Sequence, residues 1–379
     1  MRRWSFWLMV LVLVGLLAAA ACAGEKEASP ALTLAPTGKA AWEEEWSRTV
    51  EAAKKEGKVV VAGQSGSDRR QALSEGFEKQ YGITVEYVGD GTTLAERIRT
   101  ERAAGQYQWD LLIGGFNTPL DVLRPVGALD PIEPALILPD AKDLKNWRGG
   151  KLTFADEGRL ALRMVGTAGE AIHVNTKVVK PEDFTSYRDL LNPKWKGKML
   201  AFDPATRGPG QLKFLFFYVS PDLGPDFIRQ LARQDMTITR DEESALKWLI
   251  AEQYSICIGC STALSLKLIE AGLPLKLVGP ERFKEGTYLS PGWANVSLIN
   301  RAPHPNAAKV YLNWLLSRDA QTAVARAGNY ASLRLDVPTD HLDSWAVPKE
   351  GMKIIDLGTE ATQKKLDDMG VLLKEVFPR

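Results

Sequence analysis

From Trp42 onward, apolar positions fall in alternating helical and extended periods. In WEEEWSRTVEAAKKEG, Trp46, Val50 and Ala53 share one helical face, and Gly57 provides the left-handed stop that ends a helix. Val59-Val60-Val61 is a short unbroken β-branched run, as expected of a strand covered on both faces. The helical period returns in DRRQALSEGFEKQYG, where Leu73 and Phe77 stand four apart before a stop at Gly82. ITVEYV then alternates Ile83, Val85 and Tyr87, and TTLAERIRTERAAG with WDLLIGG forms a third helix and strand. Helix and strand thus alternate three times, which predicts a parallel, doubly wound α/β sheet.

A loop-rich middle follows, marked by Pro125, Pro131, Pro134 and Pro139 and running to Gly150. AIHVNTKVV (171–179) reads as a strand, and the alternation then resumes. Its members are the strand in KMLAFDP, the helices QLKFLFFYV, PDFIRQLARQ and DEESALKWLIAE, the strand YSICIG and the helix STALSLKLIEAG. WANVSLIN (293–300) is another strand, HPNAAKVYLNWLLSRDAQTAVARAG one long helix, and ATQKKLDDMGVLLKEVF a last one. Two α/β runs around a loop-rich centre predict two lobes, with strands near 171–177 and 293–300 crossing between them. The expected division is an N-lobe of 42–170 plus 300–345 and a C-lobe of 171–299 plus 346–379, hinge strands included.

The first residues add an address. Arg2 and Arg3 precede an apolar run from Trp7 to Ala21, the arrangement of an export signal over 1–21. Ala19-Ala20-Ala21-Cys22 resembles a bacterial lipobox, with Ala19 where leucine is preferred, so Cys22 is the expected lipidation site and mature N-terminus. An uncleaved N-terminal anchor is the alternative. Residues 22–41 are rich in Ala, Pro and Thr without a hydrophobic period, and read as a flexible tether. The expected location is therefore the outer side of the cell membrane, extracellular or periplasmic, held by lipid.

Composition excludes more than it assigns. The 379 residues are 45% hydrophobic and 25% charged, enough to build a core and too balanced for wholesale disorder. There are 48 basic and 47 acidic residues with no long like-charged run, so nucleic acid is not an expected partner. Loss of 1–21 leaves 46 against 47. Three cysteines and three histidines (His173, His304, His341) argue against a zinc cage or a disulfide-stapled fold. No cofactor motif is present. Neither a nucleophile elbow, an HExxH helix nor an acid–base pair stands out, so binding rather than catalysis is expected.

The segments AAKKEGKVVV, FEKQYGITVEY, AIHVNTKVVKPEDFTSYRDLLNPKWKGKMLAFDP and APHPNAAKVYLNWLLSRDAQ, in this order behind an export signal, carry a resemblance. The chain resembles bacterial extracellular solute-binding proteins of the type 2 periplasmic binding fold, in the branch with ferric-iron, thiamine and sugar-phosphate receptors. That resemblance implies a monomeric, lipid-anchored receptor with an interlobe cleft and two hinge strands. It would take a small anionic organic solute and pass it to an ABC permease. Ferric iron or another metal is the alternative cargo within the fold. In ferric-binding relatives the resemblance places two adjacent tyrosines where this chain has Ser261 and Thr262, and hard Fe(III) prefers phenolate and carboxylate oxygens.

Four strand-to-helix turns are candidate ligand contacts: Ser65 and Ser67 after the first strand, Thr92 and Thr93 after the second, Asn117 after the third, and Ser261 and Thr262 in the second lobe. Helix N-termini offer unpaired N–H groups to anions, and hydroxyls extend their reach. Ordinary helix capping is the competing reading for each hydroxyl. Arg207, between Asp203-Pro204 and Gly208-Pro209-Gly210, would provide a planar fork for carboxylate or phosphate, against a surface pair with Asp203. Trp293, at the start of the second hinge strand, either stacks on a ligand or packs between lobes. Cys257-Ile258-Gly259-Cys260 invites a thiol-oxidoreductase reading, but no thioredoxin-like βαβ unit surrounds it, and a buried strand cysteine is the better account of Cys257. Lys194, Lys196 and Lys198 read as a solvated loop.

Overall fold

The computed structural model describes residues 40–378, apart from 91, 92, 116, 117 and 207. The export signal, Cys22 and nearly all of the tether lie outside the described residues, as do Thr92, Asn117 and Arg207.

α1 (Ala41–Glu56) ends at Gly57, whose φ of 76° is the left-handed value that favours glycine. β1 (Lys58–Gly63), α2 (Ser67–Tyr81), β2 (Thr84–Gly89), α3 (Leu94–Ala103) and β3 (Leu111–Gly114) follow in the predicted alternation. β1 pairs in parallel with both β2 and β3. The loop-rich stretch holds β4 (Leu129–Asp130), the single turn α4 (Pro139–Lys142), β5 (Thr153–Phe154) and β6 (Leu162–Arg163).

The second series is β7 (Ile172–Asn175), β8 (Met199–Phe202), α5 (Pro209–Val219), α6 (Gly224–Ala232), β9 (Thr237–Thr239), α7 (Glu242–Ile250), β10 (Ile256–Ile258), α8 (Thr262–Glu270) and β11 (Leu275–Val278). β12 (Thr287–Leu289), β13 (Asn295–Ile299), α9 (Pro305–Leu315), α10 (Arg318–Gly328), β14 (Ile354–Asp356), α11 (Glu360–Gln363) and α12 (Lys365–Val376) complete the chain.

The strands form two principal sheets, each with its own core. The first runs β2-β1-β3-β13-β6-β5, with β4 also on β13; the second runs β11-β7-β10-β8-β9. Behind the first, Phe77 meets Tyr311 and Trp314 with ring centroids 5.0 and 5.4 Å apart. Behind the second, Tyr187 packs on Phe283 and Phe217 at 4.4 and 5.1 Å. These are the two lobes of an α/β periplasmic-binding fold.

Two expectations change. The strand near 293–300, expected as a crossing between the lobes, lies inside the first sheet as β13, antiparallel to β3 with Asn295 opposite Gly114. All five of its residues are buried, so its composition signals a covered strand without naming its neighbour. The long helix expected from His304 is two helices. Leu316 ends α9, and the Ser317 side chain accepts the Ala320 N–H at 3.3 Å to start α10.

Two connecting segments run side by side between the lobes. Ala168 bridges Leu289 in antiparallel fashion, Gly169 N–H donates to the Tyr288 carbonyl at 2.9 Å, and the Thr287 hydroxyl donates to the Gly169 carbonyl at 2.6 Å. These few residues are where a hinge can absorb its change in φ and ψ.

Candidate functional site

In open α/β sheets ligands sit beyond the carboxyl ends of the strands. Here those ends carry the turns after β1, β2, β3, β8 and β10, beside the connecting segments. Among the described residues, the expected hydroxyls on these turns do not cap their helices from the N-cap position. Neither Gly66 before α2, Thr93 before α3 nor Ser261 before α8 makes a side-chain capping bond, whereas Asp241 and Ser317 do cap α7 and α10. Ser65 Oγ instead donates to the Gly89 carbonyl at 3.1 Å, tying the β1 turn to the β2 turn. Ser67 Oγ donates to Asp68 at 3.0 Å, and Thr93 Oγ1 to the Asp90 carbonyl at 3.0 Å. Ser67 and Thr93 are exposed, and their side-chain bonds are to these neighbours.

Residues of the first lobe, the hinge and the second lobe nevertheless meet. Arg69, in the first turn of α2, lays its guanidinium over the Trp293 ring at 4.9 Å from the centroid. Its Nη1 donates to the Ser65 carbonyl at 3.0 Å, and its Nε is buried with no hydrogen-bond partner. Trp293 is 4% exposed, packed beneath Arg69. Gly328 makes that packing possible: a Cβ there would lie 1.9 Å from the Trp293 Nε1.

On the other side of the hinge, Glu170 is 6% exposed. The Thr262 hydroxyl, at the start of α8, donates to its Oε2 at 3.2 Å, while Oε1 is buried without a partner. Thr262 therefore serves the chain's own carboxylate. Tyr330 connects the two sides. Burial raises its phenol above the ordinary value, with Arg69 pulling it down and Glu170 pushing it up, so both charges are felt at one ring.

Beneath Glu170 lies a polar group sealed from water. Lys213 of α5 is fully buried; its ammonium donates to the Glu170 main-chain carbonyl and sits 4.9 Å from the Tyr288 ring centroid. Burial lowers its pKa to about 8, against the opposing pull of Glu170. His173 on β7 has both ring nitrogens buried without partners. Its pKa falls to about 3, first through burial and then through the Lys213 charge.

Cys257 and Cys260 form a disulfide, and both residues are fully buried. The thiol-oxidoreductase reading finds no support, since nucleophilic attack needs an accessible thiolate. Gly259 between them has φ 66°, and a Cβ there would lie 2.6 Å from Gly210 Cα, so the β10 turn is pressed against the start of α5.

Asp203, 1% exposed at the end of β8, accepts from Arg240 Nε at 2.7 Å and from the Ala205 N–H at 2.9 Å. A cavity of about 560 Å³ opens beside this turn, lined from the first lobe by Leu120 and Arg124 and from the second by Pro204, Ala205 and Gln211. Its size suits a small solute. Lys194 and Lys196 pair with Asp183 and Asp235 on the surface, as a solvated loop would. Among the described residues, no three His, Cys, Asp or Glu side chains gather to hold a metal ion.

Sequence reasoning missed Arg69, Glu170 and Lys213. Arg69 lies two residues beyond Ser67, and its signal is a basic residue in the first turn after a strand end. The lone charges in GEAIHVN and QLKFLFF were the visible signals for the other two.

Comparison with known proteins agrees with this architecture. Trichodesmium IdiA (FutA), in complex with iron and citrate, superposes with a TM-score of 0.63 at 19% identity, over 85% of this chain and 100% of that one. The Mannheimia haemolytica ferric iron-binding protein A, in an open conformation, gives 0.67 at 17% identity over 84% and 98%. AfuA of Actinobacillus pleuropneumoniae, with fructose-6-phosphate bound, gives 0.58 at 19% over 85% and 99%. In sequence, a Salmonella typhimurium protein provisionally assigned as a 2-aminoethylphosphonate-binding periplasmic protein is 25% identical over 325 residues, 82% of this chain and 86% of that one. The model of the bacterial extracellular solute-binding proteins matches residues 72–349, and the chain belongs to that family.

Proposed function

We propose that this protein is the lipid-anchored, monomeric receptor of an ABC importer and captures a small anionic organic solute between its lobes, without chemistry of its own. One observation carries the anion: the Arg69 guanidinium carbon sits 4.9 Å from the Trp293 ring centroid, with Nε buried and unpartnered. A guanidinium fixed in this way is preorganised to accept a carboxylate, phosphate or phosphonate. The phosphonate and sugar phosphate named for the Salmonella and Actinobacillus proteins belong to the same chemical class.

Ser65, Thr93 and Ser261, on turns at the strand ends, are proposed to complete the shell together with Thr92, Asn117 and Arg207, with Ser67 at its margin. Trp293 supports Arg69, and Thr262 acts through Glu170. The proposed lobes are 42–170 with 295–345 and 171–294 with 346–379, the change from the expected division following β13. Export through 1–21 and lipidation at Cys22 fit a receptor tethered beside its permease. Iron as cargo is the weaker reading, because Ser261 and Thr262 are poor ligands for a hard ferric ion.

The test is a thermal melt with a panel of phosphonates, phosphate esters and neutral sugars. A ligand bound only to the folded state raises Tm. A shift with the anions, stoichiometric in titration and without turnover, is expected; a shift with neutral sugars alone contradicts the reading. Mass spectrometry of the membrane fraction should find Cys22 acylated and N-terminal.

A further inference from the structure

A buried carboxylate with one oxygen satisfied and the other empty calls for an explanation, because such groups are rarely left without a partner. Glu170 is in that position: Oε2 takes the Thr262 hydroxyl, and Oε1 takes nothing. The nearby ammonium does not fill the gap. Lys213 donates to the main-chain carbonyl of Glu170, and no ion pair joins it to the carboxylate.

The location of the carboxylate changes what the second lobe offers a ligand. The N-terminus of α8 would attract an anion. Glu170 already provides one there, bonded to the first residue of the helix. The helix end is thus already met by a carboxylate of the chain, and what that carboxylate has left to offer is a buried acceptor without a partner. A carboxylate oxygen with no hydrogen-bond donor of its own is suited to an ammonium. Across the hinge, Arg69 presents the opposite charge.

We propose that Glu170 Oε1 is a subsite for a primary ammonium group, so that the solute is a zwitterion with its anionic end at Arg69 and its cationic end at Glu170. The inference rests on the reading of this cleft as an anion receptor and narrows it to amino-substituted phosphonates, phosphates or carboxylates. Such a solute would join a charge on the first lobe to one beside the second, favouring the closed arrangement with two charge-assisted contacts.

Calorimetric titration of matched pairs tests this: 2-aminoethylphosphonate against ethylphosphonate, and glucosamine 6-phosphate against glucose 6-phosphate. The wild type should bind the amino member of at least one pair about tenfold or more tightly than its partner, the value of one charge-assisted bond. Glu170→Gln should bring that pair to within about threefold while leaving the des-amino compound unchanged. Equal binding of amino and des-amino compounds by the wild type overturns the ammonium subsite and leaves the anion reading intact. Equal weakening of both members by Glu170→Gln also overturns it, since it shows a purely structural role. Binding of neither pair overturns both readings. The wild-type comparison alone decides the matter should the variant fail to fold.

Discussion

The Arg69 guanidinium carbon lies 4.9 Å from the centre of the Trp293 ring, joining the first turn of α2 to the residue just before β13. The contact fixes a long side chain that would otherwise lose rotamer freedom on meeting a ligand. Arg69→Ala should weaken binding of an anionic solute by about 10- to 150-fold, the range of a charge-assisted hydrogen bond. Arg69→Lys should recover part of the loss, because an ammonium lacks the planar fork. Titration of both variants checks this; equal affinity in Arg69→Ala and wild type would remove Arg69 from the site.

Gly328 gives a second route to the same pair. Helix propensity alone favours alanine over glycine by about 1 kcal/mol inside a helix. A Cβ at 328 would overlap the Trp293 indole, at 1.9 Å from Nε1 and 2.8 Å from Cε2. Gly328→Ala is therefore expected to lower Tm and to weaken ligand binding together, as Trp293 and Arg69 are displaced. Melting curves and titration read both, and a stabilised variant with unchanged affinity would contradict the packing argument.

Arg207 lies in the sequence between Asp203 and the start of α5. As a ligand anchor, its replacement by alanine costs about 10-fold or more in affinity. Without a ligand contact, the change stays below about threefold. The first outcome is expected. Titration of Arg207→Ala and Arg69→Ala beside the wild type separates two anion contacts from one.

The helix–strand order was legible because Gly57 and Gly82 punctuate it and the apolar periods between them are clean. The neighbours of β13 were not legible. NVSLI is buried throughout, and a covered strand carries no mark of which sheet it enters. The break between α9 and α10 was hidden because the apolar period continues through Ser317 while one side chain restarts the helix. At the site, the turns were visible from their small polar residues, but the roles of those residues depend on partners distant in sequence. Thr262 meets Glu170 across 92 residues, and Trp293 meets Arg69 from another lobe segment. No local spacing encodes such pairs.

The Cys257–Cys260 disulfide closes a loop too short for a large entropic gain, so its contribution is expected to be local. A Cys257→Ser/Cys260→Ser variant puts two hydroxyls into fully buried sites and should lose about 2 kcal/mol or more of stability. Ligand affinity should stay within a few-fold, because neither sulfur is exposed to the cleft. Urea denaturation and titration measure the two effects. A loss of affinity beyond tenfold would show that the disulfide holds the Ser261–Thr262 turn in its binding shape.

His173 makes the acid limb of stability specific to one residue. Its pKa is lowered from 6.5 to about 3, so between those values the unfolded chain binds a proton that the folded chain refuses. Stability from this group is complete above about pH 6.5 and is lost as pH falls toward 3, at up to about 1.4 kcal/mol per pH unit. Neutral imidazole is tolerated in the second core, but its two nitrogens gain nothing there, since neither has a partner. His173→Leu removes the titration and keeps an apolar side chain of similar bulk on β7. Urea midpoints at pH 7 and pH 5 should then differ less in the variant than in the wild type, by about 2 kcal/mol in unfolding free energy. Because the Lys213 charge also depresses His173, Lys213→Met should raise the histidine's folded pKa, which imidazole NMR titration can follow, so that its acid loss still begins near pH 6.5 but ends at a higher pH and is smaller in total. An acid limb unchanged in His173→Leu would place the proton uptake on the carboxylates instead.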